Sequence, residues 1–444
     1  MEPKCSLKTR REFLRGTMLG GALTWTVPTF LAKTFSALHA EAANAANATA
    51  GKDLPVLVIL QMAGGNDGLN TVVPFTNDHY FRARPRLAHK PGAVLKLSEQ
   101  IGLHPSLNGF QALFDQGHLS VVQGVGYPNP NRSHFRSTEI WQTASDANKV
   151  EKYGWLGRYF DNCCAGADPT VGVNIGRQMP QAFAAKKPVG VSLDNPENYR
   201  LAGVDSADGA DPAGQSLREM NRPEMESDAG ADANSGGTIG AVAGKARVGG
   251  SVLDFLERTA LDAQVSSDEI RAISKRVQNQ AVYPASPLGN GLKLVARLIG
   301  GGLPTRIFYV SQGGYDTHTN QAGPQARLLQ DLGDAVKAFV EDLKAQRNFE
   351  RVLLMTFSEF GRRVGENASG GTDHGAAASM FVVGSKLKSG LLGTYPSLAP
   401  EDLLNGDLKY NVDFRSVYAA LLEKWLKTRS EPVLGKKFDP LPIV

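Results

Sequence analysis

Cysteine is nearly absent from this chain, which has 3 in 444 residues. That scarcity excludes a fold held together by many disulfides. Cys5 lies near the N-terminus, and Cys163 and Cys164 are adjacent, so this pair cannot close a long loop. We interpret the two neighbours as a buried or vicinal pair and not as a metal or redox site.

A large excess of charge of one sign is also missing. The chain carries 48 Lys and Arg against 44 Asp and Glu, a formal net charge of +4. Residues 1–42 hold six of the basic and three of the acidic residues, so residues 43–444 have a formal charge of only +1. A nearly neutral body gives no electrostatic basis for nucleic acid or an anionic membrane as the main partner.

The N-terminus has the three-part layout of an export signal. A basic segment, TRREFLR at residues 9–15, precedes a mildly apolar stretch over 16–31 and small residues over 37–46. The adjacent arginines predict a twin-arginine signal over 1–42, with the twin-arginine translocase as partner during export and a periplasmic or extracellular destination. The alternative is an uncleaved membrane anchor, although glycine, threonine and proline make this stretch a poor permanent span.

Beyond the leader, short apolar runs alternate with helical patterns, and none approaches the length that crosses a bilayer. Apolar runs predict strands at 53–62, 119–125, 305–310, 351–357 and 380–383. Apolar spacing predicts helices over 136–144, 251–280, 288–298, 321–347 and 416–426. The alternation predicts an α/β fold, a doubly wound, mainly parallel sheet sandwiched by helices, over residues 53–444.

Residues 203–250 differ in composition from the rest of that domain. They are rich in Gly, Ala, Asp, Asn and Ser and have few large apolar residues. We interpret them as a low-complexity insertion, and a flap over a site is the alternative.

Acidic and imidazole side chains gather where predicted strands end. Asp67, Asp316 and Glu359 each follow a predicted strand by a few residues. Because ligands bind beyond the carboxyl ends of strands in an open α/β sheet, we expect these carboxylates to meet at one edge. His318 and the pair Asp373–His374 lie in glycine-rich loops and complete the predicted metal shell. Carboxylate and imidazole ligands suit divalent ions such as Zn, Mn, Fe or Mg.

Each of these residues alone has a simpler interpretation. Asp67 or Asp316 could cap a helix, and His374 could be a core histidine. Glu359, beside Arg362 and Arg363, could form a surface ion pair. The conjunction of these residues, and not any single one, indicates a site.

Ser133 precedes a predicted helix and is the candidate nucleophile. Free amides at the helix start and a nearby cation would stabilise its alkoxide. A plain helix cap is the alternative. Candidate residues for an anionic substrate are Arg132, Arg136, Arg362 and His134, since a guanidinium offers two donors to a phosphate or sulfate.

Seven segments of the chain resemble one known family. They are LQMAGGNDGLNTVVPF (60–75), GLHPSL (102–107), GVGYPNPNRSHFRSTEIWQ (124–142), GWLGRY (154–159), GGYDTHTNQ (313–321), TFSEFGRRVGENASGGTDHG (356–375) and DFRSVYAALL (413–422). The family is domain of unknown function 1501, exported bacterial proteins related to the alkaline phosphatase-like and sulfatase-like superfamily. The resemblance implies an alkaline phosphatase-like sheet with a site for two metal ions, and hydrolysis or transfer of phosphate or sulfate esters.

The resemblance also implies roles for individual residues. Asp67 matches the first-strand metal aspartate, and Ser133 stands for the nucleophile. Residues resembling the ligands of one ion are Asp316, His318 and His374, while Glu359 falls where an aspartate of the other ion is expected. Phe360 departs from the superfamily, which often has histidine there, and its ring cannot bind a metal. One ion could therefore be absent, or a harder ion such as Mg or Ca could replace Zn.

Together these observations predict an exported, metal-dependent hydrolase of the sulfatase/phosphatase type, acting on a small anionic ester with one or two divalent ions (Zn, Mn, Mg or Ca). The alternative is a non-catalytic exported protein on the same fold that binds metal or an envelope partner. A redox enzyme loaded with a cofactor is disfavoured, because no Gly-x-Gly-x-x-Gly follows a predicted strand and no cysteine cluster could hold iron–sulfur.

Overall fold

The computed structural model describes residues 54–164, 169–187, 189–196 and 268–444. The predicted signal over 1–42, the predicted insertion over 203–250 and the first part of the helix predicted over 251–280 lie outside the described residues. Among the described helices, none has the length and apolar character needed to span a membrane.

The strands, in chain order, are β1 (Val56–Met62), β2 (Val72–Val73), β3 (Leu95–Lys96), β4 (Gly102–Leu103), β5 (Leu119–Gly126), β6 (Gly172–Ile175), β7 (Val191–Leu193), β8 (Ile307–Gln312), β9 (Val352–Phe357), β10 (Ala378–Val383), β11 (Gly390–Leu392) and β12 (Val412–Asp413). The α-helices are α1 (Gly68–Thr71), α2 (Asp78–Ala83), α3 (Asn108–Asp115), α4 (His134–Thr143), α5 (Trp155–Cys163), α6 (Pro287–Gly300), α7 (Ala322–Ala345), α8 (Phe414–Ala420) and α9 (Glu431–Leu434). Residues 268–276 are also helical, and a π-helical turn, Leu421–Trp425, follows α8.

Nine strands form one mixed sheet in the order β11-β5-β10-β9-β1-β8-β6-β7, with β12 also paired to β5. Every pairing in this sheet is parallel except the two that β10 makes, with β5 on one side and β9 on the other. The three short strands β2, β4 and β3 form a second, antiparallel sheet.

Side chains of β1 alternate between two hydrophobic cores, as the pleat of a strand requires. Val58 and Leu60 belong to a core with apolar residues of α3, α6 and α7. Leu57 and Ile59 belong to another core, with residues of α4, α5 and α8. All seven residues of β1 are buried, which explains the uninterrupted apolar run in the sequence. Helices therefore flank both faces of the sheet.

The predicted α/β class is confirmed as a mixed sheet flanked by helices, and all five predicted strands lie in it. The strand predicted at 305–310 lies two residues later, at 307–312. The antiparallel direction of β10 was not predicted, nor were β6 and β7, whose short segments lack a long apolar run. Cys163 and Cys164 form a vicinal disulfide at the end of α5, in agreement with their interpretation as a vicinal pair.

Glycine allows α3 and α7 to approach closely. A Cβ atom added at Gly109, the second residue of α3, would lie 2.1 Å from the backbone oxygen of Gly333 in α7. Gly323, the second residue of α7, is a matched site because an added Cβ there meets only the Arg327 side chain, at 3.6 Å.

We expect Gly109→Ala to lower the free energy of unfolding by about 1–3 kcal/mol, since the backbones must move apart. Gly323→Ala should instead be neutral or stabilise by up to about 1 kcal/mol, because alanine favours the helix. Urea unfolding followed by circular dichroism measures both. Equal effects of the two substitutions would contradict the proposed close approach.

Candidate metal centre

Loops from five strands meet at one edge of the main sheet. The parallel strands β1, β5, β8 and β9 all end there. Because β10 runs in the opposite direction, the residues that precede it lie at the same edge. The edge therefore combines His134, after β5, and Asp316, after β8, with His374, before β10.

Three imidazoles surround the carboxylate of Asp316. The Nε2 atom of His318 lies 2.9 Å from Asp316 Oδ1, and that of His374 lies 3.1 Å from the same oxygen. The Nε2 atom of His134 lies 3.4 Å from Asp316 Oδ2. The Nε2 atoms of His318 and His374 are only 2.9 Å apart. Three imidazoles and one carboxylate thus gather at this edge of the sheet.

The opposite nitrogen of each ring faces an acceptor. Glu359 Oε1 lies 2.9 Å from Nδ1 of His134, and the backbone oxygen of Arg132 lies 2.8 Å from Nδ1 of His374. Asp373 Oδ1 lies 3.3 Å from Nδ1 of His318. An oxygen of this kind only accepts, so each Nδ1 carries the proton, and in a neutral ring Nε2 then holds a lone pair.

These residues fit a divalent cation. Single ligand atoms of His134, Asp316 and His374 all lie within 4.8 Å of one another. Atoms bound to one tetrahedral zinc ion at about 2.0–2.1 Å are about 3.3 Å apart. The lone pairs of His318 and His374, whose Nε2 atoms are 2.9 Å apart, need a proton or a cation between them. Imidazole and carboxylate together are typical ligands of Zn and Mn.

Arg362 is the buried cation of this edge, with a side chain that is 0% exposed. Its guanidinium donates to the backbone oxygens of Gly64, Gly65, Tyr315 and Thr372 and to the carboxylate of Asp316. Burial alone would raise the pKa of Asp316, but the hydrogen bond and the positive charge of Arg362 outweigh burial and lower it to about 2. Asp316 is therefore ionised across the neutral range.

Glu359 and Phe360 line the inner side of the cluster. Glu359 Oε1 also accepts from the backbone N–H of Gly64 at 2.8 Å, while its buried Oε2 has no hydrogen-bond partner among the described residues. The ring of buried Phe360 packs at 4.9 Å from the ring of His134 and at 4.5 Å from that of His374. The unpaired Oε2 atom of Glu359, close to His134, could accept from a nearby positive charge. The phenyl ring of Phe360 forms an apolar wall next to the two histidines.

A glycine is required where β1 leaves the sheet. Gly64 has φ +119°, and an added Cβ atom would lie 2.5 Å from the backbone nitrogen of Asp316. The loop after β1 can therefore lie directly against the loop that carries Asp316.

Asp67, expected in the metal shell, has other contacts. Its Oδ2 atom pairs with the buried Arg84 at 2.6 Å and also accepts from Gln321, while its Oδ1 atom is buried with no hydrogen-bond partner in the described part of the chain. A carboxylate paired with a buried guanidinium is a weaker cation ligand, since its charge is already neutralised. Asp67 is also not part of the group formed by His134, Asp316 and His374.

The arginines expected to hold an anion are engaged elsewhere. Arg132 pairs with buried Asp407. Arg136 donates to the backbone oxygens of the 146–149 loop and pairs with Glu139 at 2.7 Å. The guanidinium of Arg362 donates to backbone oxygens and to Asp316 at the sheet edge. Substrate binding by these residues stays a prediction, and their contacts point to structural roles first.

Ser133 is exposed and occupies the N-cap position of α4, but its side chain makes no capping hydrogen bond. His134, expected to bind substrate, has a ring nitrogen close to potential ligand atoms of Asp316 and His374, and its role in substrate binding stays a prediction. The sequence places His134 directly after the loop that follows β5, so the rule that strand ends gather at one edge applied to His134 as well. Arg84 and Asp407 were missed altogether, because nothing in the sequence links them to their partners.

Comparisons with known proteins add a family and distant structural neighbours. The family model described as "Protein of unknown function (DUF1501)" matches residues 55–433. A search of curated proteins finds no match.

Three solved structures illustrate the structural similarity. The PsFucS1 sulfatase from Pseudoalteromonas sp. is 10% identical over 82% of this chain and 69% of its own, with a TM-score of 0.32. The zinc complex of the C-terminal periplasmic domain of EcEptC from Escherichia coli is 11% identical over 76% and 74%, with a TM-score of 0.32. The phosphonate monoester hydrolase of Agrobacterium radiobacter is 11% identical over 87% and 78%, with a TM-score of 0.31. Such similarity is too low to assign an activity.

The contacts of Arg362 predict that Arg362→Lys strongly destabilises the protein. A lysine has three donors where the guanidinium has five, so buried carbonyl groups lose their partners at about 1–3 kcal/mol each. The neighbouring Arg363, whose side chain is 40% exposed, provides the matched control. Arg363→Lys should change the free energy of unfolding by no more than about 0.5 kcal/mol. Urea unfolding measures both, and similar values for the two variants would contradict the role given to Arg362.

Proposed function

Because this chain belongs to the family described as "Protein of unknown function (DUF1501)", we propose its function from its own residues: a metal-dependent hydrolase that cleaves a small anionic ester of the phosphate or sulfate type. The observation that carries this proposal is the convergence of three Nε2 atoms on the ionised carboxylate of Asp316. We also propose that the sheet is alkaline phosphatase-like and that the chain reaches the periplasm or the exterior by the twin-arginine route.

One divalent ion fits this arrangement better than two. His134, Asp316 and His374 supply three ligand groups for a single ion, and the Nε2 atom of His318 lies 2.9 Å from that of His374. A second ion would need further ligands, but Phe360 offers none and Asp67 is paired with Arg84. Three imidazoles with one carboxylate favour Zn or Mn over Mg or Ca, which prefer oxygen ligands.

A bound ion supplies a Lewis acid for the ester oxygens and lowers the pKa of a coordinated nucleophile. The protein residues around it hold their positions through the second nitrogen of each ring. Glu359 keeps the Nδ1 proton of His134, and the Arg132 carbonyl keeps that of His374, so both Nε2 atoms stay available as ligands.

Ser133 is the proposed nucleophile. It directly precedes His134, and its hydroxyl is not used for capping α4. The free amides and the positive end of the helix dipole at the start of this ten-residue helix favour a negative charge on its oxygen.

A non-catalytic metal-binding protein on the same fold is the second candidate. It is favoured by one specific observation: the guanidinium groups of Arg136 and Arg362 bond to the protein itself, so neither is free to hold an anionic substrate.

Metal analysis of purified protein tests the site. We expect wild type to retain about one divalent ion per chain and Asp316→Ala to lose affinity by at least about 100-fold, since it removes the central ligand. Glu401→Ala, which removes an exposed carboxylate elsewhere, should behave as wild type. Equal and negligible metal in all three proteins, after several ions have been supplied, would remove the basis of the proposal.

Ester hydrolysis tests the role of Ser133. We expect Ser133→Ala to lower kcat by about 10³-fold or more while metal content stays unchanged. Ser369→Ala, at an exposed serine of another loop, is the control. Unaltered hydrolysis by Ser133→Ala would exclude serine as the nucleophile. If metal-loaded wild type cleaves none of a broad panel of esters, the non-catalytic candidate replaces the hydrolase.

A further inference from the structure

A pocket of about 280 Å³ lies beside the metal centre. It is lined by three segments: residues 126–130 after β5, Ala376 and Ala377 before β10, and residues 404–410. None of its lining residues is a candidate ligand of the metal centre.

Chain connectivity places this pocket next to the metal ligands. Ala376 is two residues from His374, and Pro130 is two residues from Arg132, whose carbonyl accepts from the His374 ring. Two residues span at most about 7 Å of extended chain. A group bound in the pocket is therefore within reach of an ester held at the metal centre.

The wall of the pocket is mainly apolar and aromatic. Tyr127 and Tyr410 contribute rings, and Pro130, Leu404 and Leu408 contribute aliphatic surface. The hydroxyl of Tyr127 is occupied by Ser137 and by the backbone N–H of Asn131. An apolar cavity of about 150 Å³ holds one benzene molecule. The larger volume here suits an aromatic ring that carries a substituent.

One charged residue lines the pocket. Lys409 is exposed and has no ion-pair partner among the described residues. The nearest acid along the chain, Asp407, is already paired with Arg132. The charge of Lys409 is therefore free to attract an acidic group on a ligand whose ring lies in the pocket.

We propose that this pocket binds the alcohol portion of the substrate, an aromatic alcohol that carries a carboxylate or another acidic group. Lys409 selects the acidic group, and the apolar wall selects the ring. The assignment of this ligand as part of an ester rests on the proposed function, whereas the pocket itself can be tested without catalysis.

The test is direct binding of 4-hydroxybenzoate and of phenol to the full chain, measured by ligand-observed NMR titration. We expect saturable binding of 4-hydroxybenzoate to wild type. Ala376→Leu, which fills the pocket, should weaken it by about tenfold or more. Lys409→Gln should weaken 4-hydroxybenzoate by about two- to fivefold and leave phenol unchanged.

Two matched variants control for indirect effects. Ala399→Leu makes the same change at a half-buried alanine that lines a different pocket, and Lys90→Gln removes an exposed lysine elsewhere. Both should bind 4-hydroxybenzoate as wild type does. Circular dichroism establishes that each variant is folded, and if Ala376→Leu does not fold, Leu404→Asp takes its place with the same expected loss.

The outcomes separate this proposal from the proposed hydrolase. Absence of saturable binding, or equal binding by wild type and the pocket-filling variant, overturns the pocket even when the protein retains its metal. Equal weakening of phenol and 4-hydroxybenzoate by Lys409→Gln overturns the selection of an acidic group. Binding as expected in a protein that retains no metal supports the pocket and contradicts the hydrolase instead.

Discussion

A buried guanidinium must have its donors satisfied, and this constraint fixes the geometry of the edge where the metal ligands meet. Arg362 bonds to the loop after β1, to the loop after β8 and to the segment before β10. None of these three loops can move without leaving a buried donor unpaired. Asp316 accepts from the same guanidinium, so Arg362 positions the centre of the cluster without the help of a bound cation.

The histidine rings around Asp316 are likewise held in place by hydrogen bonds to neighbouring residues. A ring can rotate about its bonds, but an acceptor at Nδ1 fixes which nitrogen faces inward. Glu359 and the Arg132 carbonyl do this for His134 and His374, and Asp407 in turn holds the Arg132 side chain. The orientation of the cluster therefore also depends on a residue that does not contact it, the buried Asp407 in the 404–410 segment.

Much of this arrangement could be predicted from the sequence, because strand ends specify an edge. Asp316, His318 and His374 were expected together and lie together. Asp67 was expected with them on the same argument, but its buried charge is paired with Arg84, and a contact between side chains is not visible in strand patterns. The apolar run of β10 predicts a strand but not its direction, which only hydrogen-bond register defines. The place of His134 after β5 could have marked it as a candidate ligand, whereas its contact with Glu359 depends on the folded loops.

The position of β10 between β5 and β9 determines when the candidate ligands can come together during folding. The candidate ligands are residues 134, 316, 318 and 374, so the full set is present only after most of the last third of the chain has been synthesised. His374 precedes β10, which lies between β9, the preceding strand in the chain, and β5, which is far removed in sequence, so the β5–β10 pairing has a high contact order. The proposed metal site would therefore be complete only once β10 has taken its place in the sheet.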